Sequence, residues 1–85
     1  MNKKRYEEPT QDNVKIGDFL YDEINNHIVD LPIIEIKTNS VIAENKEIRC
    51  NHPYLQAIIR SDGRLLVGRN ANSNLIKLIE ENNKR

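Results

Sequence analysis

Apolar residues on both sides of a tight turn form the most regular pattern in the chain, over residues 55–68. At its centre, Asp62-Gly63 accepts the positive φ angles of a type I′ turn, which predicts a β-hairpin. The register set by this turn gives four pairs: Ser61 with Arg64, Arg60 with Leu65, Ile59 with Leu66, and Ile58 with Val67. Because successive strand residues point to opposite faces, this hairpin would be apolar on both faces, and each face needs a cover.

Short apolar runs separated by turn-forming residues predict further strands upstream of the hairpin. The predicted strands cover residues 14–21, 28–37, 41–44 and 47–50. The predicted turns between them lie at residues 22–26, 38–40 and 45–46. Gly17 favours a bulge or bend in the first strand, and Pro32 favours an edge position or a bulge in the second. The His52-Pro53 pair would break the chain before the hairpin.

Helical periodicity begins after the hairpin. Asn72 or Ser73 can cap a helix that runs to about residue 82, because both side chains accept hydrogen bonds from free backbone amides. The apolar stripe of this helix consists of Leu75, Ile76, Leu78 and Ile79. If the stripe covers one face of the hairpin, the monomer is complete. If it packs elsewhere, that face is an interface.

The predicted fold class is therefore mainly β, with one helix. We expect a small bent β-barrel or SH3-like sheet of about five to six short antiparallel strands, followed by a C-terminal helix over about residues 73–82. Residues 1–13 are polar, contain Pro9 and lack apolar periodicity, so we expect a flexible N-terminal tail. Residues 14–85 would form a single domain.

The stretch VKIGDFLYD, residues 14–22, resembles the opening of many SH3-like small barrels, in which a G-D-x-V-Y stretch begins the first strand. The residues that carry the resemblance are Lys15, Gly17, Asp18, Leu20 and Tyr21. SH3-like barrels are mostly binding modules for peptides or nucleic acid. The resemblance therefore implies a binding function, at the level of the fold.

Composition bears on the cellular compartment and the origin of the protein. The 85 residues are 38% hydrophobic and carry a formal net charge of zero, and no apolar run approaches the ~20 residues of a membrane span. The N-terminus has no apolar segment typical of a signal peptide. Cys50 is the one cysteine, which excludes an internal disulfide and suits a reducing compartment, so we expect a cytoplasmic protein. Abundant Asn, Ile and Lys would fit AT-rich coding DNA from a bacterium, phage or mobile element.

Charge is distributed unevenly, and the hairpin region is basic. The register above would place Gln56 opposite Arg69. An apolar centre with an arginine-containing rim is typical of a protein-binding patch. The predicted patch consists of Gln56, Ile58, Arg60, Leu65, Val67 and Arg69. We therefore expect a non-enzymatic accessory module that docks a protein partner, or a second copy of itself, and a phage or mobile-element protein acting on a host factor would suit this size.

Two other interpretations of the basic residues stay open. In the first, the basic residues are ordinary solvated side chains. In the second, they bind nucleic acid as part of a small barrel. The predicted nucleic-acid set consists of Arg49, Arg60, Arg64 and Arg69. Against nucleic acid, stacking aromatics are not interleaved with these arginines, and a neutral chain gains little attraction to phosphate.

Cys50 and His52 are the residues that come nearest to a chemical site. Two residues apart on an extended chain they face the same way, as a nucleophile and its base or as two metal ligands. A structural zinc site needs four ligands, and His27 is the only other strong nitrogen or sulfur donor. We therefore expect a small buried thiol beside a loop histidine.

The acidic residues near the first turn, Asp18, Asp22 and Glu23, are interpreted first as solvated turn residues, since they follow no calcium-loop pattern. Weak binding of a cation or of a basic partner stays open as the alternative. The sequence thus predicts no enzyme, no catalytic residue, no metal ligand and no cofactor.

Overall fold

The computed structural model describes residues 6–83 and contains one six-stranded antiparallel sheet followed by an α-helix. The strands are β1 (Phe19–Ile24), β2 (His27–Ile36), β3 (Ser40–Glu44), β4 (Arg49–Pro53), β5 (Ile58–Ser61) and β6 (Arg64–Val67), and the helix is α1 (Ser73–Asn83). Across the sheet the order is β4-β3-β2-β1-β5-β6. The mainly β fold with a C-terminal helix is confirmed. The sheet is compact but remains open, so it is not a closed barrel.

Two-residue turns set the register of two hairpins. Asp62 and Gly63 have φ angles of 52° and 80°, which fit a type I′ turn, and all four pairs predicted for the β5–β6 hairpin are confirmed. Asn25 and Asn26 have φ angles of 52° and 64°, and they join β1 to β2 in the same way. Asparagine tolerates this left-handed conformation better than most residues, which explains its use at both positions.

The first and fourth strands begin later than predicted. Before β1, Gly17 has a φ angle of 97° and the carboxylate of Asp18 accepts a hydrogen bond from the Lys15 amide, so this segment is a turn. As a result β1 begins at Phe19 and takes in residues 22–24, which were predicted to be a turn. His52 and Pro53 lie within β4 and do not break it, because β4 is an edge strand, where proline is tolerated.

Apolar side chains form two clusters, one on each face of the sheet. The larger lies inside the bend and contains Val14, Leu20, Leu31, Ile33, Val41, Ala43, Ala57, Ile59 and Leu66. In the smaller cluster Ile58 and Val67 from the hairpin meet Leu75 and Ile79 from α1. The helix therefore covers part of its own hairpin, which is the first of the two arrangements considered above.

Residues 6–13, expected to belong to a flexible tail, pack against the hairpin and the helix. The Val67 amide donates a hydrogen bond of 2.8 Å to the Glu7 carbonyl, and the Tyr6 hydroxyl donates one of 2.6 Å to Glu80. Pro9 is buried. The contact with Val67 gives the edge strand β6 a backbone partner that it would otherwise lack. Residues 1–5 of the predicted tail lie outside the described residues.

Within residues 6–83, no helix combines the length and the apolar character that crossing a membrane requires.

Candidate functional site

The centre of the predicted docking patch is part of the protein's own core. Ile58 and Val67 are only 1% and 8% exposed, because Leu75 and Ile79 of α1 pack on them. Leu65 is half-buried at the border of the same cluster. The helix thus covers Ile58 and Val67, the two positions at which the sequence predicts a partner.

Two rim residues of the patch also differ from the predicted pairing. Strand pairing in the hairpin ends at Ile58 and Val67, and Gln56 lies beyond it in a short 3-10 helix, Tyr54–Gln56. Gln56 therefore does not lie in a strand opposite Arg69. Gln56 and Arg69 are both exposed, and the Arg69 guanidinium lies 3.4 Å from a Glu8 carboxylate oxygen.

A row of side chains from four positions crosses the same face of the sheet. Directly paired residues share a face, and the register pairs Leu65 with Arg60, Arg60 with Phe19, and Phe19 with Pro32. We call these four residues the exposed row after its two central members: Phe19 and Arg60 are exposed, whereas Leu65 and Pro32 at its ends are half-buried. Phe19 is 41% exposed, and nearby on β2 Ile34 is 44% exposed.

Arg60 differs from the other arginines of the predicted nucleic-acid set. The other three form surface ion pairs: Arg49 with Glu44 at 3.0 Å, Arg64 with Glu7 at 2.9 Å, and Arg69 with Glu8 at 3.4 Å. Among the described residues, Arg60 forms no ion pair. Most of the positive charge predicted for a phosphate-binding surface is therefore balanced within the chain.

A second group of side chains meets where β4 approaches β1. Cys50 and His52 face the same side of β4, opposite Ala43 and Val41 of β3. Asp22 comes from β1, and one of its oxygens, Oδ2, lies 3.0 Å from Cys50 Sγ and 3.8 Å from His52 Nε2. The three donor atoms all lie within 4.8 Å of one another.

Sequence reasoning identified two members of this cluster and missed the third. Asp22 is 28 residues before Cys50, and it was interpreted as a turn residue. Only the bend of the sheet brings β1 to β4, and no spacing in the sequence reports that bend. His27, the residue considered as a further ligand, is exposed at the first position of β2 and is not part of the cluster.

The electrostatics of Cys50 oppose its use as a nucleophile. Burial, together with the hydrogen bond to Asp22 and the negative charge of that carboxylate, raises the pKa of the thiol to about 12. An activated cysteine needs the opposite environment, one that favours the thiolate. At neutral pH the group is therefore a protonated thiol that donates to a carboxylate.

A cleft of about 340 Å³ opens beside this cluster. Asp22 and His52 line this cleft, whereas Cys50 does not. Polar groups make up most of the remaining wall, which consists of Tyr21, Gln56, Asn70, Asn72 and Leu75. A small ligand or solvent can therefore reach Asp22 and His52 from this cleft.

The acidic residues that were considered together in the sequence have separate partners. Buried Asp18 accepts from the Lys15 amide at 2.8 Å, and Glu23 accepts from the Asn74 side chain at 2.9 Å. Asp22 alone among them belongs to the cluster with Cys50 and His52.

Comparison with protein-family models, curated proteins and solved structures found no match. The chain's own side chains are therefore the basis for a functional assignment.

Proposed function

We propose that this protein is a non-enzymatic binding module that docks a protein partner through the exposed row. This proposal keeps Arg60 and Leu65 from the patch predicted by sequence and replaces its buried centre with Phe19 and Pro32. The open, bent sheet is compatible with the SH3-like resemblance, and binding modules are common among such folds.

The observation that carries the proposal is an arginine beside an exposed aromatic ring on one face of the sheet. Phe19 and Arg60 pair directly across β1 and β5, so their side chains are neighbours. Aromatic and arginine side chains are enriched at protein interfaces, where they supply apolar area and a planar set of donors. Because Arg60 has no ion-pair partner among residues 6–83, its guanidinium is available to a carboxylate.

The expected partner is a protein segment that offers a carboxylate to Arg60 and an apolar side chain to Phe19. The setting we propose is the cytoplasm of a bacterium in which a phage or mobile element supplies the protein as an accessory factor. A second copy of the chain is another partner that the same experiment detects.

Site-specific photocrosslinking in the producing cells tests the proposal. A crosslinking amino acid at position 19 should yield one dominant adduct, and Arg60→Glu in the same protein should remove it by reversing the charge that recognises the partner. The matched control carries the crosslinker at position 16, since Ile16 is 61% exposed and lies outside the row. Mass spectrometry then identifies the adduct.

The crosslinking results either support the proposal or contradict it. An adduct formed at position 19, absent at position 16 and lost with Arg60→Glu supports the proposal and identifies the partner, including a second copy of the chain. Equal adducts at the two positions, or an adduct that persists with Arg60→Glu, contradict it.

A further inference from the structure

We propose that Asp22, Cys50 and His52 form a binding site for one zinc ion, with a fourth coordination position open to the adjacent cleft. The proposal goes beyond the docking function and involves different side chains. Asp22 is three residues from Phe19 along β1, so the two side chains point to opposite faces of the sheet.

The donor atoms lie near the spacing that a tetrahedral metal requires. Zinc binds sulfur at about 2.3 Å and nitrogen or oxygen at about 2.0–2.2 Å, so two ligands of a tetrahedral ion lie about 3.3–3.6 Å apart. The observed separations from Asp22 Oδ2, 3.0 Å to Cys50 Sγ and 3.8 Å to His52 Nε2, lie on either side of this range. All three donor atoms lie within 4.8 Å of one another, so side-chain rotations that lengthen the Asp22–Cys50 separation and shorten the Asp22–His52 one would place them on one ion.

The donor set selects the class of metal. A thiolate, an imidazole and a carboxylate are ligands of zinc and related transition metals, whereas calcium and magnesium prefer sites made of oxygen alone. Three protein ligands with an exchangeable fourth position are characteristic of accessible zinc sites. Here the cleft of about 340 Å³ provides room for that fourth ligand beside Asp22 and His52.

The backbone holds the donors in place. Cys50 and His52 lie on β4, which pairs with β3 along its whole length. The other carboxylate oxygen of Asp22, Oδ1, accepts a hydrogen bond of 2.8 Å from the Glu23 amide, which orients Oδ2 toward Cys50 and His52. A fixed carboxylate of this kind reduces the reorganisation needed when an ion binds.

Binding exchanges a proton for the metal. The Cys50 thiol loses the proton that it donates to Asp22, the thiolate bonds to zinc, and one proton leaves to solvent for each ion bound. The metal also neutralises the repulsion that would otherwise arise between the new thiolate and the carboxylate.

Titration of the untagged, reduced protein with Co²⁺ tests the site, because cobalt takes the place of zinc and reports thiolate coordination by a near-ultraviolet charge-transfer band. We expect one ion per chain, displacement by Zn²⁺, and loss of the band in Cys50→Ser. Asp22→Asn and His52→Gln should each weaken binding by at least about tenfold, as even loss of a ligand's supporting group does. The matched control is His27→Gln, which removes the other histidine and should bind like wild type.

A measurement on wild-type protein keeps the test independent of how the variants fold. Cys50 is the one cysteine, so its alkylation is followed directly by mass spectrometry. Saturating Zn²⁺ should slow alkylation by at least about tenfold, because a bound thiolate is not free to react. An unchanged alkylation rate, absence of the cobalt band in folded wild type, half an ion per chain, or equal weakening by His27→Gln and His52→Gln would each overturn the proposal.

Discussion

Gly68 shows how a single missing side chain lets the end of the hairpin meet the 3-10 helix. A Cβ atom at this position would lie 2.3 Å from the Leu55 carbonyl oxygen and 2.4 Å from that of Tyr54. Backbone atoms cannot move aside as the end of a flexible side chain can. The Gly68 amide also donates to the Ala57 carbonyl at 2.8 Å, which holds the two segments at this distance.

Gly68→Ala should therefore destabilise the protein, with a loss of about 1–3 kcal/mol in the free energy of unfolding. Urea denaturation followed by circular dichroism measures it. The neighbouring Arg69→Ala is the matched control, and it should change stability by less than about 1 kcal/mol, because it removes only an exposed ion pair. Equal stability of Gly68→Ala and wild type would contradict the close packing described here.

Tyr6 links the N-terminal segment to α1, and its contact gives stability a dependence on alkaline pH. The hydrogen bond to Glu80, with burial and the charge of that carboxylate, raises the pKa of the Tyr6 hydroxyl to about 12. An unfolded tyrosine titrates near pH 10. The contact therefore contributes fully below about pH 10, and its contribution is lost as the pH rises through about 12.

Comparison of wild type with Tyr6→Phe isolates this contribution. We expect wild type to be more stable at about pH 8 by no more than about 1 kcal/mol, because solvent near the hydroxyl screens the interaction. The difference should shrink between about pH 10 and pH 11. A difference in stability that stays constant over this range would show that Glu80 does not raise the pKa of the Tyr6 hydroxyl in solution.

At the scale of elements, α1 divides one face of the hairpin into a covered part and an exposed part. Ile58 and Arg60 lie two residues apart on β5, so they point to the same face. Ile58 is 1% exposed beneath the helix, whereas Arg60 is exposed in the row beside Phe19. Aspartate should therefore strongly reduce stability at Ile58 and leave it almost unchanged at Arg60.

Ile58→Asp should unfold the protein, since it buries a carboxylate without a partner and removes an apolar side chain, with a combined effect above about 3 kcal/mol. Arg60→Asp should leave the fold and its stability within about 0.5 kcal/mol of wild type. Amide proton spectra and urea denaturation of both variants check this pair of results. A folded Ile58→Asp would mean that α1 does not cover the hairpin in solution.

The same elements explain which features the sequence could predict. The β5–β6 register was predictable because Asp62-Gly63 forces one turn geometry, and the helix because its apolar stripe follows a capping residue. The predicted start of β1 was wrong because Gly17 and Asp18 form a turn before the strand. Its predicted end was wrong because Asn25 and Asn26 alone turn the chain. The meeting of Asp22 with Cys50 and His52 was not predictable, because it depends on how far the sheet bends.

At the scale of the whole molecule, charge is balanced locally as well as in total. The formal net charge is zero, and the acids that pair with Arg64 and Arg69 are Glu7 and Glu8 of the N-terminal segment. This segment therefore supplies negative charge to the hairpin, the region where the sequence alone shows an excess of arginine. Nucleic-acid binding stays a prediction of the sequence, but the charge on which it depended is largely compensated.

We accordingly expect no binding to DNA or RNA oligonucleotides at about 0.15 M salt, because few phosphates could be neutralised and few counterions released. Fluorescence anisotropy with single- and double-stranded probes measures this. Replacing Glu7 and Glu8 with Gln frees Arg64 and Arg69, so the double variant should bind more tightly than wild type in low salt, with an affinity that falls steeply as salt is added. Tight, salt-sensitive binding by wild type itself would instead show that nucleic acid displaces the N-terminal carboxylates, and it would favour the nucleic-acid function over docking through the exposed row.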